Sequence, residues 1–462
     1  MEKRVIKTTY SIFDKIKKSL LQMPPMRVIL LGFLLIIFVG AVLLSLPVSS
    51  QSGEYTNFLD SLFTSTSATC VTGLIRFDTY THWSWFGKVV LLVLIQIGGL
   101  GFMTMAISIV ALTKARIGIS TRIVMQNSIS APQVGGIVRL AKKIFLGTAI
   151  VEGSGAVLLL PYFIPKLGVA KGIVYSIFHS VSAFCNAGFD LMGYREKFSS
   201  LTHQTGDWYF NIIIMALIII GGLGFVVWFD LIDAKFKFKD LHLQSKLVLT
   251  VSTVLTVIGA VAIFLFELNG TLFDDMPLNE KILASLFQSV TARTAGFNSV
   301  DLASLTPSSI SMMMCLMIIG GSTGSTAGGL KTTTFAVLVL SIVSVVRRRK
   351  DMEAFGRRLE EGLGKTAACL FTLYITVSVV SAMIISNIEG ITMLEAMFET
   401  VSAIATVGCT LGVTTSLGVV SEIILIVLMM LGRIGSVTVL LALFSDKSKI
   451  VSKLAQEKIQ IG

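Results

Sequence analysis

The chain has few of the residues from which active sites and metal centres are usually built. Only 4 of its 462 residues are histidines and 5 are cysteines, and neither set has the spacing of a zinc site, a disulfide framework or a catalytic triad. Charged residues are also scarce, at 14% of the chain, whereas 53% of its residues are hydrophobic. This composition excludes an ordinary soluble protein. We therefore predict an integral membrane protein with no enzymatic activity and no bound cofactor.

Long apolar runs are what the sequence has in abundance. A helix needs about 20 apolar residues to cross the hydrocarbon core of a bilayer. Segment 1–27 is too long and too amphipathic for a cleaved signal peptide, and we interpret it as a helix along the membrane surface. Eight apolar windows then predict eight spans, at residues 28–47, 88–112, 144–163, 209–229, 247–266, 310–346, 366–386 and 418–444.

Basic residues are distributed unevenly between the loops. Of the 38 lysines and arginines, 28 fall in the terminal segments and in the loops after the second, fourth and sixth spans. Such residues collect on the cytoplasmic side, so both termini are predicted to be cytoplasmic. The net charge of +11 then matches anionic lipid and requires no nucleic acid as a partner. The run "RRRKDMEAFGRR" at residues 347–358 is also a reasonable docking surface for a cytoplasmic protein.

A short semi-polar segment recurs between the two spans of each pair. The copies read "FTSTSATCVTG", "FHSVSAFCNAG", "FQSVTARTAG" and "FETVSAIATVG", with a phenylalanine, then Ser/Thr-Ala, then a glycine. Segments of about 10 to 14 residues are too short to cross, which favours re-entrant helices. Thr392 and Glu395 predict a capping box at the start of the fourth, and Asn57 with Asp60 a weaker one at the start of the first.

The repeated unit predicts the architecture. Each unit crosses the membrane twice, so the next one starts on the same side and all four share one orientation. We predict an all-α polytopic membrane protein in which four parallel span, pore-helix, span repeats surround a pseudo-fourfold central pore. Segment 1–27 and the cytoplasmic tail 445–462 flank these repeats. The repeats, the last three with their preceding cytoplasmic loops, are residues 28–112, 113–232, 233–346 and 347–444.

The glycine that ends each short segment is the centre of the predicted site. Four inward-pointing helix C-termini carry partial negative charge and attract a cation. Glycine permits backbone angles that turn carbonyl oxygens toward an axis, and carbonyl rings replace the water shell of a potassium ion. For one copy alone, close helix packing is the simpler explanation, but four copies favour an ion site. The candidate ring is Gly73, Gly188, Gly296 and Gly408, and the next carbonyl layer is Thr72, Ala187, Ala295 and Val407.

A glycine motif also marks the midpoint of each second span, and only the third copy is expanded. The motifs are "IGGLGF" at 97–102 and 220–225, "IGGSTG" at 319–324 and "LGRIGS" at 431–436. As one helix, residues 310–346 would be about 55 Å long, more than a bilayer of about 40 to 45 Å. The glycine-rich part must leave the helix, and we interpret it as a gating loop beneath the ring. A loop that only fills space between helices is the alternative.

Two cationic side chains belong to this candidate gate. An arginine at mid-membrane costs about 2.5 to 3.5 kcal/mol on insertion scales, so Arg433 needs compensating partners. We expect these in loop carbonyls or hydroxyls, such as those of Ser322, Thr323 and Ser325, or else Arg433 acts as an electrostatic barrier beneath the ring; pairing with Glu152 is the alternative. Lys331 is expected to snorkel rather than to bind lipid phosphate. The candidate gating residues are Gly320, Gly321, Ser322, Thr323, Gly324, Ser325, Thr326, Ala327, Gly328, Gly329, Lys331 and Arg433.

Acidic residues on the predicted outer loops form a further candidate feature. They could concentrate cations at the pore mouth, although solubility explains them equally well. They include Glu54, Asp78, Asp190, Asp207, Asp274, Asp275 and Asp301.

Residues 28–444 contain four span, pore-helix, span units, each with one candidate ring glycine. In this they resemble the Trk/Ktr/HKT superfamily of potassium transporters, in which such glycines form the selectivity filter. The lack of further N-terminal spans makes the bacterial Ktr-type membrane subunit the most similar branch. The resemblance implies potassium uptake, often sodium-stimulated, through a gated channel-like pore in the bacterial inner membrane. It also implies a homodimer with one pore per subunit and a cytosolic nucleotide-binding regulatory ring of the RCK type. Of the potassium-channel signature TVGYG, only "TVG" at 406–408 is present.

Two other functions remain as alternatives. The stretch "GGSTGSTAGGLKTTT" at 320–334 superficially resembles the phosphate-binding loop of an ATP-hydrolysing pump. That pattern requires GxxxxGK[ST] between a strand and a helix, whereas here Leu330 separates Gly329 from Lys331 and the flanks are apolar membrane segments. A secondary symporter for an organic solute can also contain broken helices.

Overall fold

The computed structural model describes residues 25–101, 105, 126, 136–274, 276–349 and 351–435. Four of its helices are long and apolar enough to cross a membrane. Large apolar side chains on them stay exposed, for example Leu35, Val257 and Met383, as expected where a helix faces lipid. Each is the first span of a repeat and is called its outer helix. The outer helices are Pro25–Ser45, Ile137–Leu167, Leu243–Glu267 and Leu363–Glu389.

A short helix, called the pore helix, follows each outer helix. The fourth begins with the predicted capping box, in which Thr392 and Glu395 each accept a bond from the other's backbone N–H. The first is capped by Asn57, which accepts from the N–H of Leu59. The pore helices are Phe58–Cys70, Val169–Phe184, Leu278–Thr291 and Met393–Ile404.

The pore helices occupy the centre of the molecule. The phenylalanine that opens each sequence motif is buried among its neighbours, and burial of so large an apolar side chain anchors the helix. These residues are Phe63, Phe178, Phe287 and Phe398. Almost every residue C-terminal to them on the pore helices is buried too, including the hydroxyl-bearing ones. The polar half of each re-entrant segment thus faces other protein.

In every repeat the helix of the second span ends within or just before the midpoint motif, which the sequence analysis expected only for the third. In each, the last glycine of the midpoint motif has a positive φ, at 78° for Gly101, 97° for Gly224, 69° for Gly324 and 93° for Gly435. Glycine adopts this conformation readily. Gly101, Gly224 and Gly435 directly follow the last residue of a helix, whereas in the third repeat the helix has already ended at Ile318. The segments before these breaks are called the inner helices. They are Trp85–Leu100, Trp208–Leu223, Pro307–Ile318 and Val419–Ile434.

The chain continues differently after each break. In the second repeat the helix Phe225–Asp233 turns by 93° from its inner helix. In the third repeat the helix Thr332–Val346 resumes only after residues 319–331, whose ends are joined by a parallel β-bridge between Ile319 and Leu330. The prediction that this span leaves the helix is therefore confirmed. The continuations in the first and fourth repeats lie almost wholly outside the described residues.

Besides seven short 3-10 helices, the loops of the described residues contain two further small elements. A short helix, Thr79–His82, lies in the loop after the first ring glycine. The basic run between the third and fourth repeats contains an antiparallel hairpin of strands Glu353–Ala354 and Arg357–Arg358. The predicted surface helix 1–27 lies outside the described residues up to position 24, and the tail 445–462 lies outside them entirely.

Candidate functional site

The four motif glycines lie side by side in a closed ring. A Cβ atom added to Gly73 would lie 2.6 Å from the carbonyl oxygen of Ala187. One added to Gly188 would lie 2.8 Å from the carbonyl oxygen of Ala295. The same relation links the remaining pairs, Gly296 with Val407 and Gly408 with Thr72. Each repeat therefore contacts the next, the fourth returns to the first, and all eight predicted filter residues come together.

The backbone of the ring is unusual in the same way in every repeat. All four glycines have φ between 69° and 95°. The residue two positions before each ring glycine also has a positive φ, in the left-handed region of backbone conformation. Three of these four residues are β-branched, and β-branched residues avoid that region. Such strain persists only where the surrounding structure imposes it, and it clusters at functional sites. The residues are Val71, Asn186, Thr294 and Thr406, with φ of 56°, 58°, 73° and 52°.

The electrostatics of the ring favour a cation. Each pore helix ends a few residues before its ring glycine, so four helix C-termini with their partial negative charge converge there. The residues of the second carbonyl layer are fully buried, so little water competes with their oxygens. Rings of backbone carbonyls in such surroundings can replace the water shell of an alkali cation.

A cavity of about 470 Å³ opens on the outer side of the ring and is lined by all four ring glycines. Three of the predicted outer acids, Asp78, Asp190 and Asp301, also line it. Burial raises the pKa of Asp190 to about 7, and the nearby Asp78 adds to that rise. Asp78 is held in place by the N–H groups of Thr81 and Phe198. The mouth of the ring thus has an acidic wall that attracts cations.

The glycine-rich loop of the third repeat lies against the opposite side of the ring. The hydroxyl of Thr326 donates to the carbonyl of Phe184, at the end of the second pore helix, over 3.0 Å. A Cβ atom added to Gly329 would lie 3.0 Å from the carbonyl oxygen of Ala405, just beyond the fourth pore helix. The residues that the loop contacts, Phe184 and Ala405, come before the ring glycines of their repeats in the chain. The residues that line the outer cavity are the ring glycines themselves and residues that follow them. The loop therefore lies on the side of the ring opposite the outer cavity.

The loop is held mainly by the broken inner helix of the second repeat. The N–H of Ser322 donates to the carbonyl of Gly222 over 2.9 Å, and that of Thr326 to Gly221 over 3.2 Å. In return, Phe225 donates its N–H to the carbonyl of Gly324 over 2.8 Å. The inner helix ends within the midpoint motif of its span. Its last carbonyls therefore have no helical N–H donors and can accept hydrogen bonds from the loop.

Arg433 contacts the gating loop, but not through the predicted hydroxyls. Its guanidinium donates to the carbonyl of Thr326 and to those of Gly98 and Gly99, at the end of the first inner helix. Ser322 and Thr323 instead pair with Thr332 and Thr333, and Ser325 donates to the carbonyl of Ser322. The alternative partner Glu152 accepts from Gln96. The expected bond to a loop carbonyl is thus present, at Thr326. The carbonyls of Gly98 and Gly99 were not expected, because the sequence does not reveal that the first inner helix ends there.

Lys331 does not snorkel toward the membrane surface as expected. Its ammonium group donates to the carbonyl of Ala327 over 2.8 Å and to that of Gly328 over 3.3 Å. Both acceptors belong to the loop itself, whose non-helical backbone leaves carbonyls in need of donors. Lys331 therefore stabilises the loop from its inner end.

Arg76 is a structural residue that the sequence analysis did not single out. It lies three residues beyond Gly73 and donates to the carbonyls of Thr414, Thr415 and Leu417 over 2.9 to 3.0 Å. It also pairs with Asp60 at 3.1 Å. The arginine thereby joins the first repeat to the fourth, which are not consecutive in the chain.

The nucleotide-loop alternative does not fit the local structure. That loop needs a buried strand before it, whereas the helix Pro307–Ile318 precedes this one. The hydroxyls and backbone groups that would hold phosphates are bonded to neighbouring helices instead, as for Ser322 and Thr326.

Known proteins are similar to this chain in sequence and in fold. The chain is 38% identical over 447 residues to the potassium/sodium uptake protein NtpJ of Enterococcus hirae, covering 96% of this chain and 98% of that protein. It is 39% identical over 429 residues to the Ktr system potassium uptake protein B of Bacillus subtilis, covering 92% and 94%. The potassium transporter TrkH from Vibrio parahaemolyticus has the same fold, with a TM-score of 0.67 at 20% identity over 89% of this chain and 84% of that one. The family model for TrkH, described as a cation transport protein, matches residues 28–452. This multi-pass membrane protein, a transporter rather than an enzyme, thus belongs to the TrkH family of cation transport proteins.

Proposed function

We propose that the chain takes up potassium ions through a gated, channel-like pore. The closed ring of four glycines carries this proposal, with K⁺ bound by the backbone carbonyls of Gly73, Gly188, Gly296 and Gly408. The names of two relatives, a potassium/sodium uptake protein and a Ktr system potassium uptake protein, support K⁺ as the transported ion. Membrane voltage, worth about 2.3 kcal/mol per charge per 100 mV, supplies the driving force.

Isotope flux into vesicles that contain only this chain tests the proposal. With an inside-negative potential, we expect Rb⁺ and K⁺ to enter faster than Na⁺, and we expect added ATP to change nothing. Absence of flux for all three ions would refute the proposal. Competition by amino acids or sugars would point to the organic-solute symporter instead.

We also propose that residues 320–329, Lys331 and Arg433 form the gate. The support is the position of the loop against the inner side of the ring and its three sets of bonds, to the second inner helix, to Arg433 and to Lys331. In this arrangement the loop occupies the ion path. Its glycines and small hydroxyls allow it to move without forcing large side chains through the packed interior.

The membrane location, the oligomeric state and the regulation of the transporter are part of the same proposal. We place it in the inner membrane of a bacterium with both termini in the cytoplasm, as a homodimer in which Na⁺ acts as an activator. A cytosolic ring of the RCK type would regulate it, and the basic run 347–358, which contains the hairpin of strands Glu353–Ala354 and Arg357–Arg358, is the proposed docking surface. The printed name of the relative, a Ktr system protein, supports a multicomponent assembly.

A further inference from the structure

Each sequence motif contains a Ser or Thr directly before its alanine, and this side chain is not part of the ring, which is built from backbone atoms. Nevertheless a hydroxyl recurs at this position in all four repeats, and each is fully buried. A buried hydroxyl costs free energy unless it is hydrogen-bonded. These four side chains are called the brace residues. They are Ser67, Ser182, Thr291 and Ser402.

Every brace hydroxyl bonds to the ring segment of its own repeat. The hydroxyls of Ser67 and Ser402 accept from the N–H groups of the ring glycines, each over 3.1 Å. The hydroxyls of Ser182 and Thr291 donate to the carbonyls of Phe189 and Phe297, each over 2.6 Å. Phe189 and Phe297 directly follow their ring glycines. All four contacts therefore fix the chain at the ring glycine or one residue beyond it.

The brace residues also hold the second carbonyl layer through their own backbone. The carbonyl of each accepts from the N–H of the residue that precedes the ring glycine, over 2.8 to 2.9 Å. Each brace residue thus fixes two consecutive parts of the ring segment, one with its backbone and one with its side chain. The bonded pairs are Thr72 with Ser67, Ala187 with Ser182, Ala295 with Thr291, and Val407 with Ser402.

A second set of hydroxyls provides the contrast. Two residues before the brace, Ser65, Ser180 and Ser289 donate over 2.6 to 2.8 Å to backbone carbonyls of the outer helices. These hydroxyls lie on the same pore helices and attach them to the surrounding spans. Their bonds do not reach the ring, so the two sets separate the role of holding the pore helix from that of shaping the ring.

We propose that the four brace residues are positioning residues that determine cation selectivity. Preference for K⁺ over Na⁺ depends on the number and geometry of the coordinating carbonyls. Without the hydroxyl, the left-handed ring segment would lose the bond that opposes its strain and could relax toward the axis, where closer carbonyls suit the smaller Na⁺. This inference rests on the potassium function proposed above.

The test compares Rb⁺ and Na⁺ uptake into vesicles for brace and control variants. We expect Ser182→Ala and Thr291→Val to lower the Rb⁺/Na⁺ uptake ratio by about two- to tenfold, the range that matches one neutral hydrogen bond. The matched controls Ser180→Ala and Ser289→Ala should keep the wild-type ratio. Thr291→Ser, which retains the hydroxyl, should also keep it.

Each outcome is decisive for a different statement. Unchanged ratios in transport-competent brace variants would overturn the positioning role while leaving potassium transport intact. Equal losses of selectivity in brace and control variants would assign the effect to general loosening of the pore helices and would also overturn it. A wild-type chain without alkali-cation flux would refute the proposed function itself. Because each repeat has its own brace, failure of one variant to fold leaves Ser67→Ala and Ser402→Ala to decide.

Discussion

At the scale of single residues, the ring has no room for side chains. Gly296 combines a φ of 79° with close neighbours from the second and fourth repeats, including the carbonyl of Val407. A side chain there meets backbone atoms, which cannot swing aside as a flexible side chain would. The ring therefore constrains residue type through both conformation and space.

Gly296→Ser should accordingly lower the preference for K⁺ over Na⁺. Non-glycine residues in rare backbone conformations cost about 1 to 3 kcal/mol, and if the ring deforms to relieve that strain we expect a loss of about tenfold in the uptake ratio. Vesicle flux of the two ions measures it. The control is Gly390→Ser, which also has a positive φ, at 68°, but has open space around it. Unchanged selectivity in Gly296→Ser would discredit the filter assignment.

Asp190 should make uptake depend on external pH. Its pKa of about 7 lies above the ordinary value for an aspartate, so the carboxyl is mainly neutral at about pH 6 and mainly charged at about pH 8. The added negative charge attracts K⁺, so the half-saturating K⁺ concentration should fall as pH rises through this range. Uptake kinetics at both external pH values, with internal pH held constant, measure the effect.

Asp190→Asn should abolish that pH dependence and retain the weaker affinity of the acidic condition. The control is Asp207→Asn. Asp207 caps the helix Trp208–Leu223 and does not line the outer cavity, so this variant should keep the pH dependence. Persistence of the dependence in Asp190→Asn would assign it to another group.

At the scale of elements, the ends of the first two inner helices leave carbonyls that hold the candidate gate, the second directly and the first through Arg433. Weakening the contacts of the loop should raise flux without changing selectivity, because its described hydrogen bonds go to the inner helices, to Arg433 and to the end of the second pore helix, and none goes to a ring residue. Thr326→Val removes the hydroxyl bond to Phe184, and we expect about two- to tenfold faster Rb⁺ uptake, the range of one hydrogen bond. Removal of part of 322–328 should act in the same direction and more strongly.

Ser344→Ala is the control for the gate variants. Its hydroxyl bonds within the helix Thr332–Val346, beyond the loop, so its flux should match the wild type. A changed K⁺/Na⁺ ratio in Thr326→Val would mean that the loop belongs to the selective part of the pore rather than to a gate.

Sequence reasoning anticipated the elements better than their breaks. The recurring phenylalanine and glycine identified all four re-entrant helices, because each has a packing or backbone requirement that few residues meet. Each midpoint motif contains more than one glycine, and the sequence does not indicate which of them has a positive φ. In the second repeat it is Gly224 and not Gly222. Two partners of Arg433, the carbonyls of Gly98 and Gly99, were missed for a related reason, since only the end of a helix leaves these carbonyls without helical donors.

At the scale of the whole molecule, the closed ring depends on a junction between the two ends of the repeat array. Consecutive repeats are joined by the chain, but the first and fourth are not. Arg76 supplies hydrogen bonds to three carbonyls of the fourth repeat and pairs with Asp60. Arg76 thus bonds the two ends of the repeat array to each other beside the ring.

Arg76→Gln should destabilise the protein. Hydrogen bonds that involve a charged group contribute about 1.5 to 3 kcal/mol, and we expect a loss of that order, seen as a lower thermal unfolding midpoint in detergent. Lys171→Gln, at an exposed outer position, should leave the midpoint unchanged. Equal midpoints for wild type and Arg76→Gln would contradict the junction role.

The ring is assembled from four unlike segments of one polypeptide, and this has an evolutionary consequence. In a channel made of four identical subunits, one codon change alters every quarter of the filter at once. Here a single codon change alters one quarter and spares the other three. Ion preference can therefore be adjusted in small increments, and a harmful substitution in one segment can be offset by another elsewhere in the same gene.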